Sequence, residues 1–275
     1  MNEMGQPLIS LTTDFSTRSE AVGVMKAVIL KICPGTRIVD VCHHVEKFNL
    51  REGAWTLEAA LSYLPKGIHV GVIDPGVGTE RRGIIIETKR GDFLVGPDNG
   101  ILIPAAERLE GIVKAVEIKE EKYLQKPVSP SFHGRDVFAS VAAYLARGIA
   151  IEKFGPKLDG KELVEAPYKK GELKKGALEG EVVHIDGFGN CATNISSELL
   201  KLIDLKKGDF ALIKLSRKEF KLRVLDTFGE TMIGEGMLMD DTYGRIALSV
   251  NQQSAAENYS IKIGDIVRIN KAEKK

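Results

Sequence analysis

Residues 68–82, IHVGVIDPGVGTERR, run from an apolar segment (68–73) straight into Asp74, a Gly-rich turn and two arginines. In an open α/β sheet, ligands bind outside the carboxyl ends of the strands, so a polar, Gly-rich cluster directly after an apolar strand marks both an architecture and a site. The arrangement recurs. Thr12-Thr13-Asp14-Phe15 closes the apolar segment 8–12, Gly96-Pro97-Asp98-Asn99-Gly100 follows 93–95, and Phe132-His133-Gly134-Arg135-Asp136 opens a helical pattern over 134–146. Between them lie helical segments at 20–32, where Val22, Met25 and Ile29 fall at helical spacing before the stop signal Pro34-Gly35, and at 52–63. Further strands are expected at 37–41, 83–87 and 112–116. Strand and helix in alternation predict an N-terminal α/β domain whose mostly parallel sheet is covered on its faces.

From residue 154 to 181 the character changes to FGPKLDGKELVEAPYKKGELKKGALEGE, with little apolar periodicity. A linker is expected here, at 166–178, between an α/β domain over 1–165 and a second domain over 179–275. Short strands at 182–185, 210–215, 220–225, 246–250 and 266–269, separated by Gly and Asp turns, predict that the second domain is smaller and mainly β, a barrel or sandwich. The closing KAEKK (271–275) reads as a frayed end.

The 275 residues, 43% of them hydrophobic and 28% charged, are those of an ordinary globular protein. With 39 Lys+Arg against 38 Asp+Glu, no overall field exists to hold nucleic acid or an anionic membrane. The first residues show no basic region followed by an apolar stretch, and no window approaches a membrane span, so a cytoplasmic location is expected. Cys33, Cys42 and Cys191 are odd in number and widely spaced, which suggests neither a disulfide framework nor a zinc site.

The individual motifs each admit a plain reading. Asp14 is placed to accept ribose hydroxyls or to cap a helix. Residues 74–82 lack the spacing of a phosphate loop; a carboxylate with arginines seven and eight residues on reads as a salt bridge closing a loop, and the same charge-assisted pair would hold a water. His133, among small and polar residues, is a candidate proton acceptor or a hydrogen-bonded structural residue. Adjacent side chains diverge, so His43-His44 does not make a metal site. In the second half, Asp186-Gly187-Phe188-Gly189-Asn190 suits a turn over a planar, partly polar ligand, with Asp186 able to neutralise an ammonium. Thr242-Tyr243-Gly244-Arg245 and Asn251-Gln252-Gln253 add donors for a carboxylate or an adenine edge. The pairs Lys169-Lys170 and Lys174-Lys175 lack interleaved aromatics and read as solvated linker.

The ordered set TTDF, VCHHVEKF, DPGVGTERR, GPDNG, SFHGRD, HIDGFGN with TNI, and VNQQSAAE resembles the S-adenosylmethionine hydrolases, or SAM hydroxide adenosyltransferases, of the superfamily that includes fluorinating and chlorinating enzymes. The resemblance spans residues 8–268. It implies an α/β domain, a barrel-like β domain and a homotrimer with active sites at subunit interfaces. It further implies hydrolysis of S-adenosyl-L-methionine (SAM) at ribose C5′ to adenosine and L-methionine, without metal or other cofactor. The family's water-holding Asp, Arg and His fall on Asp74, Arg81 and His133, and its ribose-binding aspartate on Asp14. Its aromatic beside the ribose falls on Phe48, its ammonium partner on Asp186, and its adenosine contacts on Phe188 and Asn190. Thr242 falls where a serine meets the methionine carboxylate, and Asn99 and Asn251 complete the expected substrate contacts. Halogenating relatives are expected to carry a tyrosine at position 74 and no histidine at 133, which places this chain with the hydrolases; halide-dependent cleavage and a non-catalytic sensor are the alternatives. The family's Asp-Ile-Ser-His reads Asp40-Val41-Cys42-His43 here, which puts any hydroxyl contact from position 42 in doubt, and Tyr243 occupies a variable position.

Overall fold

A computed structural model describes residues 6–215 and 218–272, so most of the closing KAEKK lies outside the described residues. The chain divides into two compact units between Pro167 and Tyr168. In the first, β1 (Leu8–Thr13), β2 (Arg37–Cys42), β3 (Ile68–Val72), β4 (Gly83–Thr88), β5 (Phe93–Pro97), β6 (Ile112–Glu117) and β7 (Lys157–Leu158) form a seven-stranded sheet in the order β2-β1-β3-β5-β4-β6-β7. Strands β2, β1, β3 and β5 pair parallel; β4 runs against both β5 and β6, and β7 against β6. The sheet is thus mostly parallel, with β4 and β7 reversed.

The helices are α1 (Ala21–Ile32), α2 (Leu50–Leu61), α3 (Ile103–Arg108) and α4 (Ser140–Ala146). The chain steps from β1 to β2, then back across β1 to β3, and right-handed crossovers therefore put α1 and α2 on opposite faces. Side-chain alternation agrees. Ile9, Leu11, Val70 and Val72 share a core with Met25 and Ile29 of α1 and Val141 and Ala142 of α4. Between Val70 and Val72, Gly71 points the other way, where an added Cβ would lie 2.8 Å from Leu57 of α2. The reversal at β1 opens a crevice at the carboxyl ends of β1 and β3.

Two departures from expectation bear on that crevice. The helix read over 134–146 is α-helical only from Ser140; Gly134–Ala139 is a wider π-type turn. The Asp136 carbonyl accepts the Gln125 amide, so residues 123–125 engage a backbone group that would otherwise sit in an α-helical ladder, and the Ser140 hydroxyl adds a bond to the Tyr123 carbonyl. The segment α3 was not foreseen, because Pro104 and six residues give no readable periodicity.

The second unit is mainly β: β8 (Glu172–Lys174), β9 (Ala177–Ile185), β10 (Cys191–Ser196), β11 (Phe210–Leu215), β12 (Lys218–Val224), β13 (Gly236–Asp240), β14 (Arg245–Val250) and β15 (Ile266–Lys271), with a short α-helix, α5 (Ala255–Tyr259), and 3-10 turns at Ser197–Ile203 and Phe228–Glu230. The order β10-β14-β13-β12-β11-β15-β9 closes through pairing of β9 with β10, giving a seven-stranded barrel. Closure removes the open edges that a β sheet otherwise exposes. Its interior is apolar, with Leu178, Val182, Ile213, Leu222, Leu238 and Val267 fully buried or nearly so. Residues 172–174, inside the stretch read as linker, form a hairpin with the start of β9. All three are exposed, which hides the strand from hydrophobic periodicity. Among the described residues, no helix is long and apolar enough to cross a membrane.

Candidate active site

Asp74 lies two residues beyond β3, and the turn that follows brings Arg81 back onto it. Arg81 Nε donates to Asp74 Oδ1 at 3.0 Å and Nη2 to Oδ2 at 2.5 Å, a two-pronged pair. Both side chains are largely buried, 5% exposed for Asp74 and 9% for Arg81. The turn is tight because Gly78 sits at φ +77°, where a Cβ would fall 2.5 Å from the Pro130 carbonyl oxygen; only glycine lets residues 74–82 press against the segment leading to His133.

His133 begins the π-type turn and completes the cluster. Arg81 Nη2 lies 3.1 Å from His133 Nδ1. Guanidinium nitrogens only donate, so Nδ1 accepts and the neutral ring carries its proton on Nε2. Burial and the Arg81 charge both hold His133 below its ordinary value of 6.5. Burial also pushes the Asp74 carboxyl above the usual carboxylate range, and Arg81 offsets only part of that. The three groups therefore sum to zero charge near neutral pH. They present a basic oxygen on Asp74 and N–H donors on Arg81 and His133, a set that can hold and polarise one water.

Asp14 follows β1 at the same end of the sheet. Its Oδ2 accepts the Phe48 amide at 3.0 Å, while Phe48 holds a left-handed backbone (φ +65°) with its ring 65% exposed. The structure thus brings Asp14 and Phe48 together. Asn99 donates from Nδ2 to the Ile73 carbonyl at 2.8 Å, bracing the residue that precedes Asp74. This amide, expected to contact substrate, is engaged with backbone. Each of the two histidines has side-chain partners: His43, buried, bonds Thr13 and Asp40, and His44, exposed, bonds Thr17.

In the barrel unit, Asp186 organises the hairpin between β9 and β10. Oδ1 accepts the Phe188 and Asn190 amides, and Oδ2 accepts Asn190 Nδ2, each at 2.9 Å. This tight turn pushes the Phe188 ring out, 82% exposed. Phe188 and Asn190 line a cavity of about 860 Å³ together with Asn251, Gln253, Ser254 and Phe228. Thr242 is exposed in a separate turn organised by Asp241 and is not among the residues lining that cavity. Phe228 was missed by sequence reasoning, since one aromatic in a short turn carries no pattern.

Comparison with known proteins identifies the family. The family model for the SAM hydroxide adenosyltransferase N-terminal domain matches residues 9–155, and that for the C-terminal domain matches residues 180–268. The chain is 37% identical over 263 residues to an (R)-S-adenosyl-L-methionine hydrolase of Salinispora tropica, covering 96% of this chain and 97% of the relative. It is 43% identical over 215 residues to one of Methanocaldococcus jannaschii, covering 77% and 74%. A fluorinase of Actinoplanes is 28% identical, covering 98% and 99%. In structure, an uncharacterized conserved protein from Thermotoga maritima superimposes with a TM-score of 0.88 at 37% identity, covering 96% of this chain and all of that one.

Proposed function

The chain belongs to the SAM hydroxide adenosyltransferase family, and from that premise we propose that it hydrolyses S-adenosyl-L-methionine at ribose C5′, releasing adenosine and L-methionine. The observation that carries the reading is the buried Asp74–Arg81 pair with His133 accepting from the same guanidinium. A sulfonium departs as a neutral thioether and needs no general acid. What the site must supply is an oxygen nucleophile. Arg81 and His133 Nε2–H are donors suited to hydroxide, while Asp74, made more basic by burial, is the group of the three with an oxygen to take a water proton.

Electrostatics favours this division of labour. A site of net zero charge does not repel the sulfonium, and hydroxide opposite it cancels charge in the transition state, a gain that grows as water is excluded. Placing the oxygen roughly 3 to 3.5 Å from C5′, in line with the C–S bond, supplies the rest of the advantage. Asp14 and Phe48 then hold the ribose, Phe188, Asn190 and Asn251 the adenosine, Asp186 and Thr242 the methionine, with Asn99 beside the nucleophile site. The enzyme is cytoplasmic and works without metal or cofactor, as a homotrimer with active sites at subunit interfaces.

Incubation in ¹⁸O-water with halide and chelator as added variables tests the reaction. The expected result is adenosine with one ¹⁸O at the 5′ position and unlabelled methionine, regardless of halide or chelator. A 5′-halo-5′-deoxyadenosine, or tight binding without product, would overturn it.

A further inference from the structure

Three residues before Asp14 meets the crevice, the pairing of β1 with β2 slips. Leu11 pairs with Asp40 but Thr12 pairs with Cys42, so Val41 is an extra residue in β2. A bulge of this kind re-aims the side chains that follow it, and here it turns His43 under the end of β1. The His43 side chain is 3% exposed. Its Nε2 lies 3.0 Å from Asp40 Oδ1, and its Nδ1 lies 2.9 Å from Thr13 Oγ1. A carboxylate on Nε2 requires the proton there, so in the neutral ring Nδ1 accepts the Thr13 hydroxyl. Thr13 Oγ1 in turn accepts the Phe15 amide at 3.2 Å. The chain of bonds starts at Lys26 on α1, whose ammonium donates to Asp40 Oδ2 at 2.5 Å.

The same residue grips the loop from its other side. The His43 carbonyl accepts the Ser16 amide at 2.7 Å, and Ser16 holds a left-handed backbone at φ +66°. One histidine thus holds Thr13 by its ring and Ser16 by its backbone, and the two residues between them are Asp14 and Phe15.

We propose that His43 is a positioning residue for substrate binding: with Asp40 and Lys26 behind it, it clamps both ends of the 13–16 loop and so fixes the direction in which the Asp14 carboxylate meets ribose hydroxyls. This rests on the reading above that Asp14 is the ribose partner. A histidine that only filled the core would support folding without favouring any part of a ligand. The clamp acts on one discrimination, that between a sugar with hydroxyls and one without.

The test is calorimetric titration of the full-length protein with adenosine and with 2′,3′-dideoxyadenosine. Hydrogen bonds to a charged group are worth roughly 1.5–3 kcal/mol, so the wild type should prefer adenosine by about 10- to 100-fold. In Thr13→Val and His43→Gln, which break the ring contact to the loop, that preference should fall below about threefold while dideoxyadenosine affinity stays within about twofold. Thr13→Ser, which keeps the hydroxyl, should restore the preference. Equal weakening of both nucleosides in the variants, or a preference that survives intact, would overturn the clamp alone. A wild type without the preference would overturn the assignment of Asp14 to ribose, and the clamp with it.

Discussion

Strand β3 carries a histidine–aspartate chemistry at each end, and the two ends have opposite characters. At its start, His69 Nδ1 lies 2.8 Å from Ser10 Oγ and its Nε2 lies 3.1 Å from Asp92 Oδ1, a serine–histidine–aspartate chain with no exposed member. Asp92 also accepts from the Gly67 amide and from Arg90 Nε and Nη2, while Arg90 Nη2 reaches the Leu61 carbonyl at the end of α2. Just past the other end, Asp74, Arg81 and His133 form the cluster described above, at the carboxyl edge of the sheet. The residue types of the first trio suggest a nucleophile, yet no substrate reaches it. Residue identity proposes a chemistry; position along the strand decides whether anything can be done with it.

Breaking the second cluster should abolish chemistry. Asp74→Asn removes the oxygen placed to take the water proton, and turnover is expected to fall by about 10³ in steady-state assays, far more than the rise in KM that the uncompensated Arg81 charge brings beside the sulfonium. Retained turnover with lost affinity would end the water-holding role. Breaking the first cluster should lower stability instead. Asp92→Asn strips a buried charge from His69 and Arg90 at a cost of about 3 kcal/mol, or about 10 °C in the thermal midpoint. Turnover at 25 °C should stay within about twofold of wild type.

Acid separates the two ends with smaller effects. His133, held below 6.5, is neutral at physiological pH, and as pH falls below that value its protonation adds charge and displaces the Arg81 donor. A small part of stability should therefore begin to decline as pH falls through 6.5, because the unfolded chain takes up the proton first, and activity should decline only at the lower pH where the folded His133 is protonated. Asp92 is pulled far below its ordinary 3.8 by the His69 and Arg90 contacts, which outweigh its burial. Its contribution to stability is full above that ordinary value and is lost only as pH falls further. A pH–rate profile should thus lose activity while circular dichroism still reports a folded chain; coincident losses would collapse the distinction. The smallest effect is expected in the barrel unit: Phe188→Ala should raise KM several-fold with turnover nearly unchanged.

Much of this was readable in the chain before any coordinates. Segments 8–12, 20–32, 37–41 and 68–73 coincide closely with β1, α1, β2 and β3: β1 and β3 are mostly apolar and buried throughout, α1 buries one face at helical spacing, and β2, only partly buried, follows the Pro34-Gly35 stop. The barrel was less legible. Strands β10 and β13 contain Thr193, Asn194, Gly236 and Asp240, and neither gives a clean alternation. At the site, the ordered motifs pointed to Asp74, Arg81 and His133, yet the tautomer of His133 needed the 3.1 Å contact with Arg81. The role of His43 was hidden, since a pair of adjacent histidines first raises the question of metal. Only the bulge after Asp40 turns its ring toward Thr13.

The closure of the barrel also sets an order of assembly during synthesis. Strand β15 sits between β11 and β9, so the ring stays open until Ile266–Lys271 has left the ribosome. All seven strands of the first unit are complete by Leu158. Such non-local pairing is slow, and domains are made N-terminal first, so we expect the α/β unit to be protease-resistant on nascent chains that stop short of β15, while the barrel segment is still cut. Limited proteolysis of stalled chains would read this directly; a barrel protected before β15 emerges would contradict it.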